Sequence, residues 1–323
     1  MKNMRILLYG LLMAAAASGW AAGGQDTYPS RPITIVVPFA AGGSTDLLAR
    51  VVAQELGRSL QQPVIVENRP GAGSVLGTAQ VAKGPADGYT LVLGTSSLTS
   101  NAAVNTRMPF DVVKGLAPVA VLAIGPFMVV VNDKFPARTP AEFIAELKRR
   151  PGQYAYASGG IGSTNHLATE MILSMAGARA VHVPYRGAAP ALTDLVSDQV
   201  QFTLSTGPSL MQYLNGGRVR AIAITSARAS SVAPDLLPLS SAVAGYDFEQ
   251  WWGLLAPAGT PAQTVQRLNA EVNKIVATQA FKDIMLREGA VAQAGTPAQF
   301  AAIIAAEIPR WHKLAKQQNI KLE

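Results

Sequence analysis

The stretch "IVVPFAAGGSTDLLAR", Ile35 to Arg50, decides how the chain is read. It joins an apolar, β-branched run to a glycine-rich bend, two small hydroxyl residues and the start of a helix. From Ser44 to Leu60, the residues Leu47, Leu48, Val51, Val52, Leu56 and Leu60 recur three and four positions apart, which predicts a helix with one buried stripe. Strand, bend and helix in that order form the repeating unit of an α/β fold. Glycine at the bend lets the main chain approach a neighbour with no Cβ in the way. The N–H groups of the first helical turn, the positive end of the helix dipole and the hydroxyls of Ser44 and Thr45 then make a place for an anion. Taken singly, Ser44 and Thr45, like Ser163 and Thr164 further on, are better explained as helix N-caps that satisfy their own backbone.

The same device occurs a second time. "GGIGSTNHLA", Gly159 to Ala168, again puts glycines after a strand, then Gly-Ser-Thr, then a helix of similar apolar phase. Open α/β sheets bind ligands beyond the carboxyl ends of their strands, so a matched pair of such bends points to ligand binding more than to capping.

Between and beyond these bends, strand-like and helix-like segments alternate. "PITIVVPF", "PVIVEN" and "LAPVAVLAIG" read as strands, "YTLVLGTSS" as a strand running into a loop, and "SVLGTAQVAKG" as a helix. The pattern restarts with "PFMVVVN", a helix over Pro140 to Arg149, then "YAYASG", "NHLATEMILSMAG", "AVHVPY", "APALTDLVSDQ", "VQFTLST" and "VRAIAITS". A turn-rich stretch from Arg228 to Tyr246 leads into "WWGLLAPAG" and three closing helices, over Pro261 to Ala277, Phe281 to Glu288 and Pro297 to about Gln318. The expected fold is α/β with two lobes, each a mostly parallel sheet flanked by helices, joined by "PFMVVVN" and "WWGLLAP" as crossover strands. The expected boundaries are 28–126 with 248–323 for the first lobe and 127–247 for the second. Such a pair of lobes with an aqueous cleft between them is the arrangement of periplasmic solute receptors.

The first 24 residues have another purpose. Lys2 and Arg5, an apolar run from Ile6 to Ala17 and small residues at Gly19, Ala21 and Gly23 form a secretory signal peptide, with cleavage expected just after Ala21. The run falls short of the ~20 residues that span a bilayer, so no stable membrane insertion is expected of the mature chain, and its place is the periplasm. The chain has no cysteine, which excludes thiolate catalysis, disulfides, lipoprotein anchoring and cysteine-ligated metal. Its formal charge is +7; without Lys2 and Arg5 it is +5. That excess is dispersed, with "KRR" at Lys148 to Arg150 its only tight run and no aromatic interleaving, so nucleic acid is not an expected partner.

Two motif matches compete with binding. "GAGSVLG", Gly71 to Gly77, fits G-x-G-x-x-G, but it follows the second strand of its unit and no acidic residue ends the next strand, so a tight loop beside the cleft is preferred to a dinucleotide site. His166, with Ser158 or Ser163, suggests an exported hydrolase, yet there is no G-x-S-x-G elbow and no group in sequence to orient the base. The histidines His166, His182 and His312 have no metal-ligand spacing. No catalytic residue, metal or cofactor is expected.

Other residues of turn type fall at strand ends: Ser96, Ser97 and Asn101 after the third strand, Tyr185, Arg186 and Gly187 in "VPYRGAAPA", and Ser205, Thr206 and Pro208 after "QFTL". Each makes sense as a turn residue. Together they would line the same cleft, with Arg186 the one cation among them, suited equally to a second carboxylate or to a surface ion pair.

The linked segments "YPSRPITIVVPFAAGGSTDLLAR", "VIVENRPGAGSVLGTAQVAKGPADGYTLVLGT", "YASGGIGSTNHLATEMI", "VHVPYRGAAPALTDLVSDQV" and "WWGLLAPAGTP" resemble the Bug family, the TctC-type extracytoplasmic solute receptors of tripartite tricarboxylate transporters. The resemblance runs from Tyr28 to the C-terminus. It implies a Venus-flytrap fold of type II that takes mono-, di- or tricarboxylates, amino acids or aromatic acids, acts as a monomer without catalysis, and serves TctA- and TctB-like membrane subunits or a sensing role. The ligand carboxylate would be held by Phe39, Ala40, Ala41, Gly42, Gly43, Ser44 and Thr45 of the first lobe. The second lobe would add Ser158, Gly159, Gly160, Ser163, Thr164, Asn165 and His166, partly through water, with the other cleft residues Ser96, Ser97, Asn101, Tyr185, Arg186, Gly187 and Thr206 around them. The chain departs from the family pattern at Ala41, where proline is usual.

Overall fold

The computed structural model describes residues 28–214, 216–287 and 289–317. The expected signal peptide lies outside them. The chain forms two sheets. The first, in the order β11-β4-β10-β3-β1-β2, holds β1 (Ile33–Val37), β2 (Val64–Asn68), β3 (Thr90–Thr95), β4 (Leu116–Pro126), β10 (Glu249–Pro257) and β11 (Val291–Ala292). The second, β7-β6-β8-β5-β9, holds β5 (Met128–Asn132), β6 (Ala155–Ser158), β7 (Val181–Pro184), β8 (Phe202–Ser205) and β9 (Val219–Ile224).

Both sheets are mixed, for a topological reason. Where βα units wind on, pairing is parallel: β1 with β2 and β3, and β6 with β7 and β8. The strands that carry the chain between lobes run the other way: β10 is antiparallel to β3 and β4, and β5 to β8 and β9. Phe127 alone separates β4 from β5, so one nearly continuous apolar run serves both sheets. Every residue of β5 is buried, as are all of β10 but Glu249.

Of the helices, α1 (Ser44–Leu60) has the predicted bounds. Its buried face carries Leu48, Val52, Leu56 and Leu60 together with Ala49 and Ala53, so the stripe is centred one step later than the leucines alone suggest and Leu47 is turned outward, 41% exposed. The others are α2 (Val75–Ala82), α3 (Ser97–Val104), α4 (Val112–Gly115), α5 (Pro140–Arg149), α6 (Thr164–Ala176), α7 (Ala188–Val196), α8 (Gly207–Leu214), α9 (Ala262–Ala277), α10 (Gln279–Arg287) and α11 (Pro297–Gln317). Helix α3 replaces what the sequence suggests is a loop after β3.

Each lobe has its own core. Ile33, Ile35, Leu91, Leu93 and Trp252 pack with α1 and α9 in the first, and Phe143, Tyr156, Leu167, Ile172 and Phe202 in the second. Helix α11 is shared: Phe300 and Ile304 join Trp251 in the first lobe, while Trp311 packs with Phe248 and Tyr246 in the second. Ala103 of α3 also enters the second lobe's core. Two helices therefore strap across the same gap that the strands cross.

Candidate functional site

The two glycine bends face each other, and the lobes are clasped around them. Ala40 donates its N–H to the carbonyl of Arg186 across the gap at 2.9 Å. Ser97 Oγ accepts from Thr164 N–H at 3.0 Å and bonds the Thr164 hydroxyl at 3.0 Å. Ser100 Oγ donates to Gly162 O at 2.9 Å. Gly73, in the loop over Gly71 to Gly77, approaches the second lobe so closely that a Cβ there would lie 2.3 Å from Ile161 O. The G-x-G-x-x-G match is thus a seam element.

Inside this seam lies a cavity of about 50 Å³. Phe39, Gly43, Ser44, Thr45, Thr95 and Ser97 line it from the first lobe, Gly159, Ser163, Asn165, Ala188, Leu204, Ser205 and Thr206 from the second, and Phe127 and Gln250 from the crossing strands. No Lys, Arg, His, Asp or Glu is among them.

What the cavity offers an anion is backbone. Helices α1, α3, α6, α7 and α8 all begin at its wall, and the first turn of a helix carries N–H groups that no carbonyl one turn back can satisfy. The capping residues do not take their place: Gly43, Ser96, Ser163 and Gly187, which precede four of these helices, make no side-chain capping bond, and among the described residues the first-turn N–H groups met by other side chains are Ser97 N–H, by Thr95 Oγ1 at 3.2 Å, and Thr164 N–H, by Ser97 Oγ. The capping explanation of the two Gly-Ser-Thr bends therefore fails on geometry. Ser163 Oγ instead donates to Gly160 O at 2.6 Å, inside its own bend. Among the described residues the hydroxyls of Ser44 and Thr45, both buried, have no hydrogen-bond partner.

The bend of the first lobe is held from behind. Asp46 accepts from Gly42 N–H at 2.9 Å, from Asn68 at 3.0 Å and from Arg50 through two nitrogens at 3.1 and 2.9 Å. Burial alone would raise its pKa; the bonds from Arg50, Gly42 and Asn68 outweigh it and hold the carboxyl below the usual range. The negative charge in the first turn of α1 is thereby spent on Arg50, away from the cavity.

Of the residues singled out in the sequence, Phe39, Gly43, Ser44, Thr45, Ser97, Gly159, Ser163, Asn165, Ser205 and Thr206 line the cavity. Ala40, Thr164, Arg186, Gly187 and Gly160 sit on the seam; Arg186 contributes its carbonyl while its exposed side chain is outside. Ala41 and Gly42 are exposed on the outer side of the bend. Ser96 accepts from Trp251 N–H at 3.1 Å, and Asn101 donates to Gly73 O and Ser97 O, both at 2.9 Å, so both support the wall from behind. Tyr185 donates to Asp194 at 2.7 Å.

Neither Ser158 nor Ser163 pairs with His166. His166 Nδ1 accepts from Gly162 N–H at 3.2 Å, and Ser158 Oγ bonds Nε2 of a different residue, His182, at 2.6 Å. The two imidazoles stack with centroids 4.0 Å apart. Burial, then His182, lowers His166 to about 3, and burial lowers His182 to about 4, so both are neutral spacers under the second bend. Among the described residues, no group of three or more His, Cys, Asp or Glu could hold a metal ion, and no helix is long and apolar enough to cross a membrane.

The lining residues that sequence reasoning passed over are Thr95, Phe127, Ala188, Leu204 and Gln250. Phe127 and Gln250 belong to the crossing strands, where an apolar run carries no sign of which side chain meets the gap. Ala188 immediately follows Gly187 and was within reach of the same turn signal.

Two α/β lobes clasped on a cavity walled by helix N-termini define a receptor for a small solute. Residues 48–320 match the sequence model of the tripartite tricarboxylate transporter family receptor, TctC. Protein BugT of Bordetella pertussis (strain Tohama I) is 37% identical over 326 residues, 99% of this chain and 100% of that protein. Among solved structures, the periplasmic binding protein BugD superimposes with a TM-score of 0.88 at 30% identity, covering 92% of this chain and 100% of that one. A protein of R. palustris solved with adipate gives 0.88 at 34% identity, covering 91% and 99%. The chain belongs to the TctC receptor family.

Proposed function

We propose that this protein is exported to the periplasm with removal of its first 24 residues or so, and there captures a small organic anion, a mono-, di- or tricarboxylate or an amino or aromatic acid. The observation that carries this reading is a cavity with no charged side chain in its lining at which five helices begin, the capping residues of four making no side-chain capping bond. Helix N-termini favour anions, and the adipate carried by the relative from R. palustris is of that class. The residues assigned to the carboxylate are Gly43, Ser44, Thr45, Ser97, Gly159, Ser163, Asn165 and Thr206, with Phe39 beside the carbon chain.

The lobes are taken as 28–126 with 248–323, and 127–247, with α11 strapped across both. Closure would turn on Phe127 and the start of β10, and the ligand would favour the closed state by touching both lobes. Closed receptor would then be handed, as a monomer, to TctA- and TctB-like membrane subunits, with no chemical change to the ligand.

A thermal-shift screen of the mature protein against organic acids and neutral sugars tests the reading. A native-state ligand raises the melting temperature by mass action, and at least one carboxylate is expected to do so by several degrees with no sugar effective. A sugar that stabilises where no acid does would overturn it.

A further inference from the structure

We infer that Gln250 reads the far end of the ligand, selecting among small carboxylates those with a second hydrogen-bonding oxygen, a hydroxyl or a further carboxyl. This rests on the carboxylate reading above and goes beyond it by naming the chemistry that one side chain recognises.

Gln250 lies near the start of β10, is only 6% exposed and lines the cavity. Its backbone is paired with Gly125 of β4. Its carboxamide has no hydrogen-bond partner among the described residues, although both its polar atoms need one when removed from water. The other amides nearby are used: Asn165 accepts from Gly159 N–H at 3.1 Å and donates to Leu204 O at 3.2 Å, and Asn101 donates to two carbonyls. The strand cannot easily turn Gln250 away, because Trp251 N–H is bonded to Ser96 Oγ at 3.1 Å and its indole to Glu307 at 2.8 Å.

Position completes the case. Gln250 enters from the crossing strand, whereas Ser44 and Thr45 open α1 and Ser163 precedes α6. Phe39, Phe127, Leu204 and Ala188 are the apolar lining, suited to a short carbon chain between a carboxylate at the starts of α1 and α6 and a polar group at Gln250, which lies beside the start of α3. An acid with a purely hydrocarbon tail leaves the carboxamide buried and unpaired; a tail ending in O–H or a carboxylate satisfies it. Sites built to hydrogen-bond a ligand reject the analogue lacking that group.

The test is isothermal titration of the mature protein with butyrate, hexanoate and benzoate, each beside its terminal hydroxy and terminal carboxy counterpart. Wild type is expected to prefer the substituted acid by roughly tenfold or more in at least one series. Gln250→Met, close in length and without polar atoms, is expected to bring that ratio within about threefold, since the hydrogen bond supplying it is gone. Gln250→Glu should keep the hydroxy acid, whose O–H it can accept, and lose the carboxy acid by charge repulsion, a split that a packing role would not produce. If Gln250→Met fails to fold by its melting curve, the Gln250→Glu split decides alone. Acids that bind wild type with no preference for a substituted tail, or a preference unchanged in the variants, would overturn the Gln250 inference and leave the carboxylate reading standing. Failure of all nine acids to bind would overturn both.

Discussion

Gly73→Ala separates closure of the lobes from their folding. Gly73 has φ +60°, and an added Cβ would stand 2.3 Å from Ile161 O and 3.1 Å from Ser163 N, both on the opposite lobe. Ordinary contact starts near 3.4 Å, so the seam must part by about 1 Å or the loop must shift. Overpacking of this kind costs about 1–3 kcal/mol, and the part against Ile161 and Ser163 falls on the closed state alone, whereas Asn101 Nδ2, 3.2 Å away on Gly73's own lobe, is met in both. Since apparent affinity scales with the population of the competent state, and each 1.4 kcal/mol is tenfold, binding should weaken by about 5- to 150-fold. The substitution has a second cost, about 1–2 kcal/mol for a non-glycine residue in left-handed backbone, which open and closed forms share and which should not enter the binding constant. Gly177→Ala supplies the control, with φ +64° and nothing within 4 Å of the new Cβ. Both variants should melt a few degrees low without ligand, and only Gly73→Ala should lose affinity by titration calorimetry and stay extended with ligand by small-angle scattering. Equal affinities in the two variants would refute the reasoning.

Two further predictions concern buried titratable groups. Burial raises the pKa of Glu307 against the bonds it accepts from Thr99 (2.5 Å) and Trp251 (2.8 Å); the folded state therefore holds the proton more tightly than the unfolded one, and stability falls as pH rises from the ordinary glutamate value through the folded value. Glu307→Gln can keep one oxygen for both donors, so urea unfolding should show it level with wild type near pH 4 and ahead at pH 7; a variant that instead loses ground as pH rises would contradict this. His166 and His182 are depressed to about 3 and about 4, so their stabilisation is complete above the unfolded value near 6.5 and drains away below it as the unfolded chain takes up protons. Imidazole resonances of the two residues should stay fixed from pH 7.5 to 5, and a midpoint near 6.5 for either would show that the stacked, buried pair does not exist.

Much of the frame was legible because it is local. The bounds of α1 follow from leucine and valine spacing after a glycine bend, and β1 and β5 from short β-branched runs. The matched bends at Gly42 and Gly159 were legible as a pair because each repeats the same order of strand, glycine, hydroxyl and helix. The short helix α3 was not, since "SLTSNAAV" carries no amphipathic stripe; six of its eight residues are buried on several sides, and the seam and α11 hold it in place. The orientation of β10 was equally hidden: an apolar strand buried on both faces looks the same whichever way it runs.

The polar residues show a sharper limit. Sequence reasoning could nominate Ser158, Ser163, Arg186 and His166 by type, but which of them meets the ligand depends on where each side chain's hydrogen bonds are spent. Ser158 is spent on His182 and His166 on Gly162, while Arg186 gives its carbonyl to the seam. Gln250 is the converse: nothing in "FEQWWGLL" distinguishes it from a strand-end residue facing water, and its interest comes only from being buried with no partner. A binding site of this kind is made of what the fold leaves over for a ligand, namely helix N-termini whose capping residues bond elsewhere, two hydroxyls on α1 and one carboxamide. Unsatisfied groups are a property of the assembled tertiary structure, so a site without charged side chains is located in sequence by its backbone bends, and its selectivity is visible only once every other polar group has been paired.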